Sequence, residues 1–141
     1  MTSTDALNNA VDAENAAVFT LGVITAFTTG SVRAAVAEQV AEHRVRRDQL
    51  NDVLVQEGQP ERIAAAGYKL PVDVTDQNTA AQAALAAETD CEKAYRVLLE
   101  QADSNPVRQI AVDGLTDSAL RAAYWRGIAK QSPLTEAFPG Q

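Results

Sequence analysis

Apolar residues in the first part of the chain recur at alternating steps of four and three. Leu7, Val11, Val18 and Leu21 lie on one such stripe, together with Glu14 and Thr25, and this period is that of one helix face. It predicts a helix from about Asp5 to Thr28, with Gly30 as a left-handed stop and Ser31 as the next N-cap. A second stripe, Val36, Val40, His43, Arg47, Leu50 and Leu54, keeps the rhythm from Val32 to Glu57, and Gly58 ends it. Thr79-Ala-Ala-Gln82 has the form of a capping box and opens a third helix to about Asp103. Asn105-Pro106 sets a cap before a proline at the first helical position, opening a fourth helix, Pro106 to Gln131, which Ser132-Pro133 closes.

The connections are unequal. The turns at Gly30 and Asn105 are short, but residues 58–78 form a long segment containing Leu70, Val72 and Val74. About twenty extended residues can reach ~70 Å, whereas a helix of about 26 residues is ~39 Å long. That segment can therefore run the length of a bundle. The expected fold is all-α: two antiparallel helical hairpins joined by one long crossover, a single domain over residues 1–141, with 132–141 as a C-terminal tail.

Composition narrows the function. The chain carries 12 Lys+Arg against 19 Asp+Glu, a formal net charge of −7, and so lacks the basic stripe that nucleic-acid binding needs. One Cys and one His exclude a disulfide framework and Cys-rich metal sites. With neither a leader pattern nor some 18 consecutive apolar residues, the expectation is a cytoplasmic protein with no membrane partner.

Glu14, His43 and Glu88 occupy stripe positions where Leu or Val would be expected, each near the middle of its helix. Charges in a core are costly unless paired or coordinated, so three in one layer call for a counter-ion or a metal. Arg47, one turn after His43, is a candidate counter-ion, and Arg121 of the fourth helix is another. On helix 4 the stripe Ile110, Gly114, Asp117, Arg121, Tyr124, Ile128 competes with Val107, Ala111, Leu115, Ser118, Ala122, Trp125. Periodicity leaves both open; the first would bring Asp117 into the layer with Arg121 nearby. Cys91 reads as a small buried hydrophobe, and Tyr95 and Tyr124 as core residues or as the lining of a small-molecule pocket.

The runs Ala13-Glu14-Asn15-Ala16-Ala17-Val18, Glu42-His43-Arg44-Val45-Arg46-Arg47-Asp48, Ala66-Gly67-Tyr68-Lys69-Leu70-Pro71 and Ala137-Phe138-Pro139-Gly140 resemble an actinobacterial ferritin-like domain family of unknown function. The resemblance implies a ferritin-like four-helix bundle, whose di-iron form takes a lone Glu from each of two helices and a Glu-x-x-His from each of the others. Glu14 and Glu88 match the lone glutamates and His43 a motif histidine. Val40 stands three residues before His43, and Leu120 three residues after Asp117. Half of the ligand set is thus missing. The expected function is a non-catalytic structural or interaction module, its partner a second copy in a homodimer, with no cofactor and a buried network of Glu14, His43, Arg47 and Glu88 in place of a metal centre. The alternative is a metal-binding protein or metal-dependent oxidoreductase holding one divalent transition metal through Glu14, His43, Glu88 and Asp117.

Overall fold

The computed structural model describes residues 1–141. Four long helices carry the chain: α1 (Ser3–Ile24), α2 (Gly30–Gln56), α3 (Gln77–Gln101) and α4 (Asn105–Ile128), with a short 3-10 turn at Thr25–Phe27. There are no strands. The α1–α2 and α3–α4 pairs form hairpins, and the crossover joins them.

The helix ends differ from the sequence expectation by a few residues, each for a local reason. α1 begins at Ser3 because Thr2 and Asp5 form a reciprocal capping box, and its last turn tightens where the Thr25 hydroxyl donates to the Leu21 carbonyl at 2.7 Å. Gly30, at φ +56°, takes the left-handed conformation that allows α2 to start at once, so Ser31 lies inside the helix rather than capping it. α3 starts at Gln77, not Thr79: Asp76 is the cap, accepting from the Thr79 amide at 2.8 Å, while the Thr79 hydroxyl lies 3.0 Å from the Asp76 amide. Thr79 is therefore the third residue of a box and not its first. Ser104, one residue earlier than expected, caps α4, and the helix closes at Ile128, with Lys130 at φ +56°.

The crossover is laid along the bundle. Arg62 near its start holds Asp12 of α1 through two bonds of 2.8 Å, and its amide donates to Asn51 of α2. Further on, Tyr68 packs on Phe19 with ring centres 5.7 Å apart. From there Tyr68, Leu70, Val72 and Val74 are half-buried and the residues between them exposed, the period-two pattern of an extended chain with one face down. Val72 and Val74 join the core beside the start of α3, so α2 and α3 run parallel.

The apolar interior is in two parts. One gathers Ala6 to Ala17 of α1, Leu50 and Leu54, Cys91 to Ala102 and Val107 to Ala111. The other gathers Leu21, Ile24, Val32, Val36, Ala80 to Ala84 and Trp125. Between them lies a layer of charged side chains. Residues Ser3–Phe27 are long and apolar enough, at mean hydropathy 1.3, to cross a membrane by length and composition. The fully buried Glu14 at the middle of α1, paired across the bundle, reads it instead as a core helix.

Candidate functional site: a buried ionic layer

The layer is built from four helices. Glu14 from α1 and Glu88 from α3 approach opposite nitrogens of the single imidazole, His43 of α2: Nδ1 lies 2.5 Å from Glu14 Oε2 and Nε2 lies 2.6 Å from Glu88 Oε1. All three residues are at most 1% exposed. From α3 the Tyr95 hydroxyl donates to Glu14 Oε1 at 2.5 Å. From α4 Arg121 donates through Nε to Glu88 Oε1 at 3.0 Å and through Nη1 to Glu42 at 2.9 Å.

The charges nearly balance. Two buried carboxylates face one guanidinium and one imidazole, and these four groups are neutral overall when His43 is protonated. Burial alone pushes the His43 pKa down, but the charge of Glu88 and the hydrogen bonds to Glu14 and Glu88 outweigh it, raising the pKa from 6.5 to about 9. At neutral pH the ring is then an imidazolium donating from both nitrogens. Burial, reinforced by the charge of Glu14, pushes the Tyr95 hydroxyl well above its usual range and keeps it a donor. Burial likewise, with Glu14 and Glu88, holds the Cys91 proton, and the thiol faces the Ala13 carbonyl at 3.6 Å.

Two expected members lie elsewhere. Arg47 is on the flank of α2, its Nε on the neighbouring Asp48 at 3.0 Å and its side chain 28% exposed. Asp117 is 46% exposed and takes Arg46 at 2.6 Å. Both follow from which faces turn inward. On α4 the buried positions include Val107, Ala111, Gly114, Ser118, Ala122 and Trp125, mostly the second stripe, with Arg121 on its border reaching inward. On α2 the seam passes through Gln39 rather than Val40, and the Gln39 side-chain oxygen Oε1 accepts from the Trp125 indole at 2.8 Å.

Sequence reasoning did not find Tyr95 as a member of the layer, and it offered Arg121 only as a second counter-ion beside Arg47. Gly114 was the available signal for the first. A Cβ there would lie 2.4 Å from the Tyr95 ring, so a glycine on α4 makes the space in which the phenol reaches Glu14. Tyr124 does not share a pocket with Tyr95; it packs edge-on against Trp125 and lines a shallow cleft between α2 and α4.

The residues do not fit a di-metal centre. Val40 and Leu120 occupy the positions where the second carboxylate and second histidine would be, and Asp117 points to the surface. A single ion has nearer candidates, since ligand atoms of Glu14, His43 and Cys91 lie within 4.8 Å of one another. Each is already engaged: to coordinate, His43 must give up a proton and a hydrogen bond, and Cys91 its thiol proton. Glu88 Oε2 is the one atom of the layer that is buried without a partner.

The comparisons agree with this architecture. A family described as "Domain of unknown function (DUF4439)" matches residues 6–141. A conserved hypothetical protein of Mycobacterium tuberculosis superposes with a TM-score of 0.88 at 35% identity, over 97% of this chain and 96% of that one. A dodecameric thioferritin, the bacterioferritin-related protein of Bacteroides fragilis, gives 0.76 at 17% identity, covering 91% and 84%. Dps from Listeria innocua gives 0.82 at 11% identity, covering 95% and 98%. No curated protein matches. The last two structures are too distant in sequence to carry more than the fold, a ferritin-like four-helix bundle, and with the match along nearly its whole length this chain belongs to the DUF4439 family.

Proposed function

We propose that this protein is a non-catalytic structural or interaction module of the cytoplasm, in which protonated His43 and Arg121 take the place of a metal at the centre of a ferritin-like bundle. The observation that supports this is the engagement of both His43 nitrogens by carboxylates, at 2.5 and 2.6 Å. An imidazolium there, with the Arg121 guanidinium on Glu88, balances the two buried charges. A divalent cation added to the same layer would have to displace at least one proton. Apolar cores flank the layer on either side, which supports a structural role for it.

A second reading, one divalent transition metal held by Glu14, His43 and Glu88, draws its support from the unpartnered Glu88 Oε2. Metal analysis of protein purified without chelators or a metal-affinity column separates the two. The network reading expects far less than one equivalent of any transition metal, in wild type and in Glu88→Gln alike. Near-stoichiometric metal in the wild type, lost in the variant, would overturn it.

For partners, the reading is self-association as a homodimer. Val45 and Leu120 are 70% and 66% exposed, which leaves apolar surface on α2 and α4 for a second copy to cover. Sedimentation velocity over a hundredfold concentration range should show a dimer; a monomer throughout would contradict it.

A further inference from the structure

A third buried carboxylate lies outside the layer, and nothing in the ionic network uses it. Glu92, one turn after Glu88 on α3, is 1% exposed and lines a pocket of about 330 Å³ between α3, α4 and the C-terminal tail. Leu115, Ala119 and Leu120 of α4 form an apolar wall, and Thr135 and Glu136 of the tail form the polar side together with Arg126 of α4. The nearest cation is already committed: Arg126 donates to Glu136 at 3.0 Å and to the Leu134 carbonyl at 3.1 Å. Glu92 enters none of the molecule's ion pairs.

Next to Pro139, which lines the pocket, the tail is fitted closely to α3. Gly140 has φ +85°, and a Cβ on it would lie 2.7 Å from the Glu92 carbonyl oxygen and 2.8 Å from Arg96 Cβ. Only a glycine lets the tail lie this close to α3. Burial, and after it the charge of Glu136, raises the Glu92 pKa, while Arg126 and the Gly140 amide offset this in part. A buried carboxylate short of donors is costly, and a ligand supplying them would relieve that cost.

We propose that this pocket binds the ammonium group of a small primary amine, with a short apolar body resting on Leu115, Ala119 and Leu120. An ammonium has three donors and no acceptor, and Glu92, Glu136 and the Thr135 hydroxyl are acceptors among the groups that line the cavity. A hard divalent cation is less well served, because it takes six or more oxygens and one of the two carboxylates is held by Arg126. The volume lies at the lower end of the range for small-ligand sites.

The test is titration of the full-length protein with n-butylamine hydrochloride at constant pH and ionic strength, followed by amide chemical shifts, with n-butanol and manganese chloride as comparison ligands. Saturable shifts around Glu92 and the tail are expected with the amine and not with the alcohol. Glu92→Gln, which keeps the side-chain shape, should weaken amine binding about tenfold or more. Gly140→Ala, which pushes the tail away from α3 and from the Glu92 carboxylate, should weaken it too, with far-UV circular dichroism unchanged in both variants. Absence of saturable binding, equal binding by Glu92→Gln, or manganese binding that displaces the amine would each overturn the proposal.

Discussion

Two arginines on different helices illustrate how side chains of one type separate into structural and solvated roles. Arg121, 8% exposed, binds Glu88 and Glu42, whereas Arg47 pairs only with an exposed neighbour in sequence. Removing the first leaves a buried carboxylate short of a counter-ion, so Arg121→Met should cost about 3–5 kcal/mol in urea denaturation. Arg47→Ala should stay within about 0.5 kcal/mol of wild type. Gly114→Ala belongs to the same scale: its new Cβ meets the Tyr95 ring, and the displaced phenol loses Glu14. A loss of about 1–3 kcal/mol is expected from overpacking; an unchanged denaturation midpoint would show that the ring moves freely. The positions of Glu14, His43 and Glu88 were readable because polar residues interrupt a regular apolar stripe. The choice of arginine was not, since a long side chain on the border of a seam can turn either way and only packing decides.

At the scale of the elements, helix existence was legible and helix ends less so. Four periodic stretches gave four helices, and the half-buried alternation of Tyr68, Leu70, Val72 and Val74 matches a docked crossover. The start of α3 was misread because Thr79 can act either as the first residue of a box or as its third. Asp76 takes the capping role through bonds to and from Thr79. Asp76→Ala should therefore destabilise by about 1 kcal/mol, while Gln82→Ala, inside the helix, should have almost no effect. The reverse order in thermal melts would restore the later start. The inward face of α4 was undecidable from periodicity because Gly114 and Arg121 belong to one stripe and Ala111, Ser118 and Trp125 to the other, and both sets reach the interior.

The whole molecule is two apolar cores bridged by one charged layer, so its stability is coupled to one proton. The His43 pKa is 6.5 in an unfolded chain and about 9 in the fold. A raised folded value means that the contribution is present in full below the unfolded pKa and is lost as pH rises through the folded one. Stability should therefore fall between about pH 6.5 and pH 9, by about 3 kcal/mol from this group, and the decline should be absent in His43→Gln. A wild-type denaturation midpoint that is flat across this window would separate the layer from the fold's energetics. The net charge of −7 adds a screened repulsion that is common to both proteins and cancels in the comparison.

The most direct test of the imidazolium at the bundle centre is nitrogen-15 NMR of the ring. The chain has one histidine, so the two ring resonances need no assignment among alternatives. At pH 7, with both nitrogens donating to carboxylates, both should show the shifts of protonated nitrogen and one-bond couplings to hydrogen, and should titrate with a midpoint near 9. A neutral ring at pH 7, with one bare or metal-shifted nitrogen, would contradict the account.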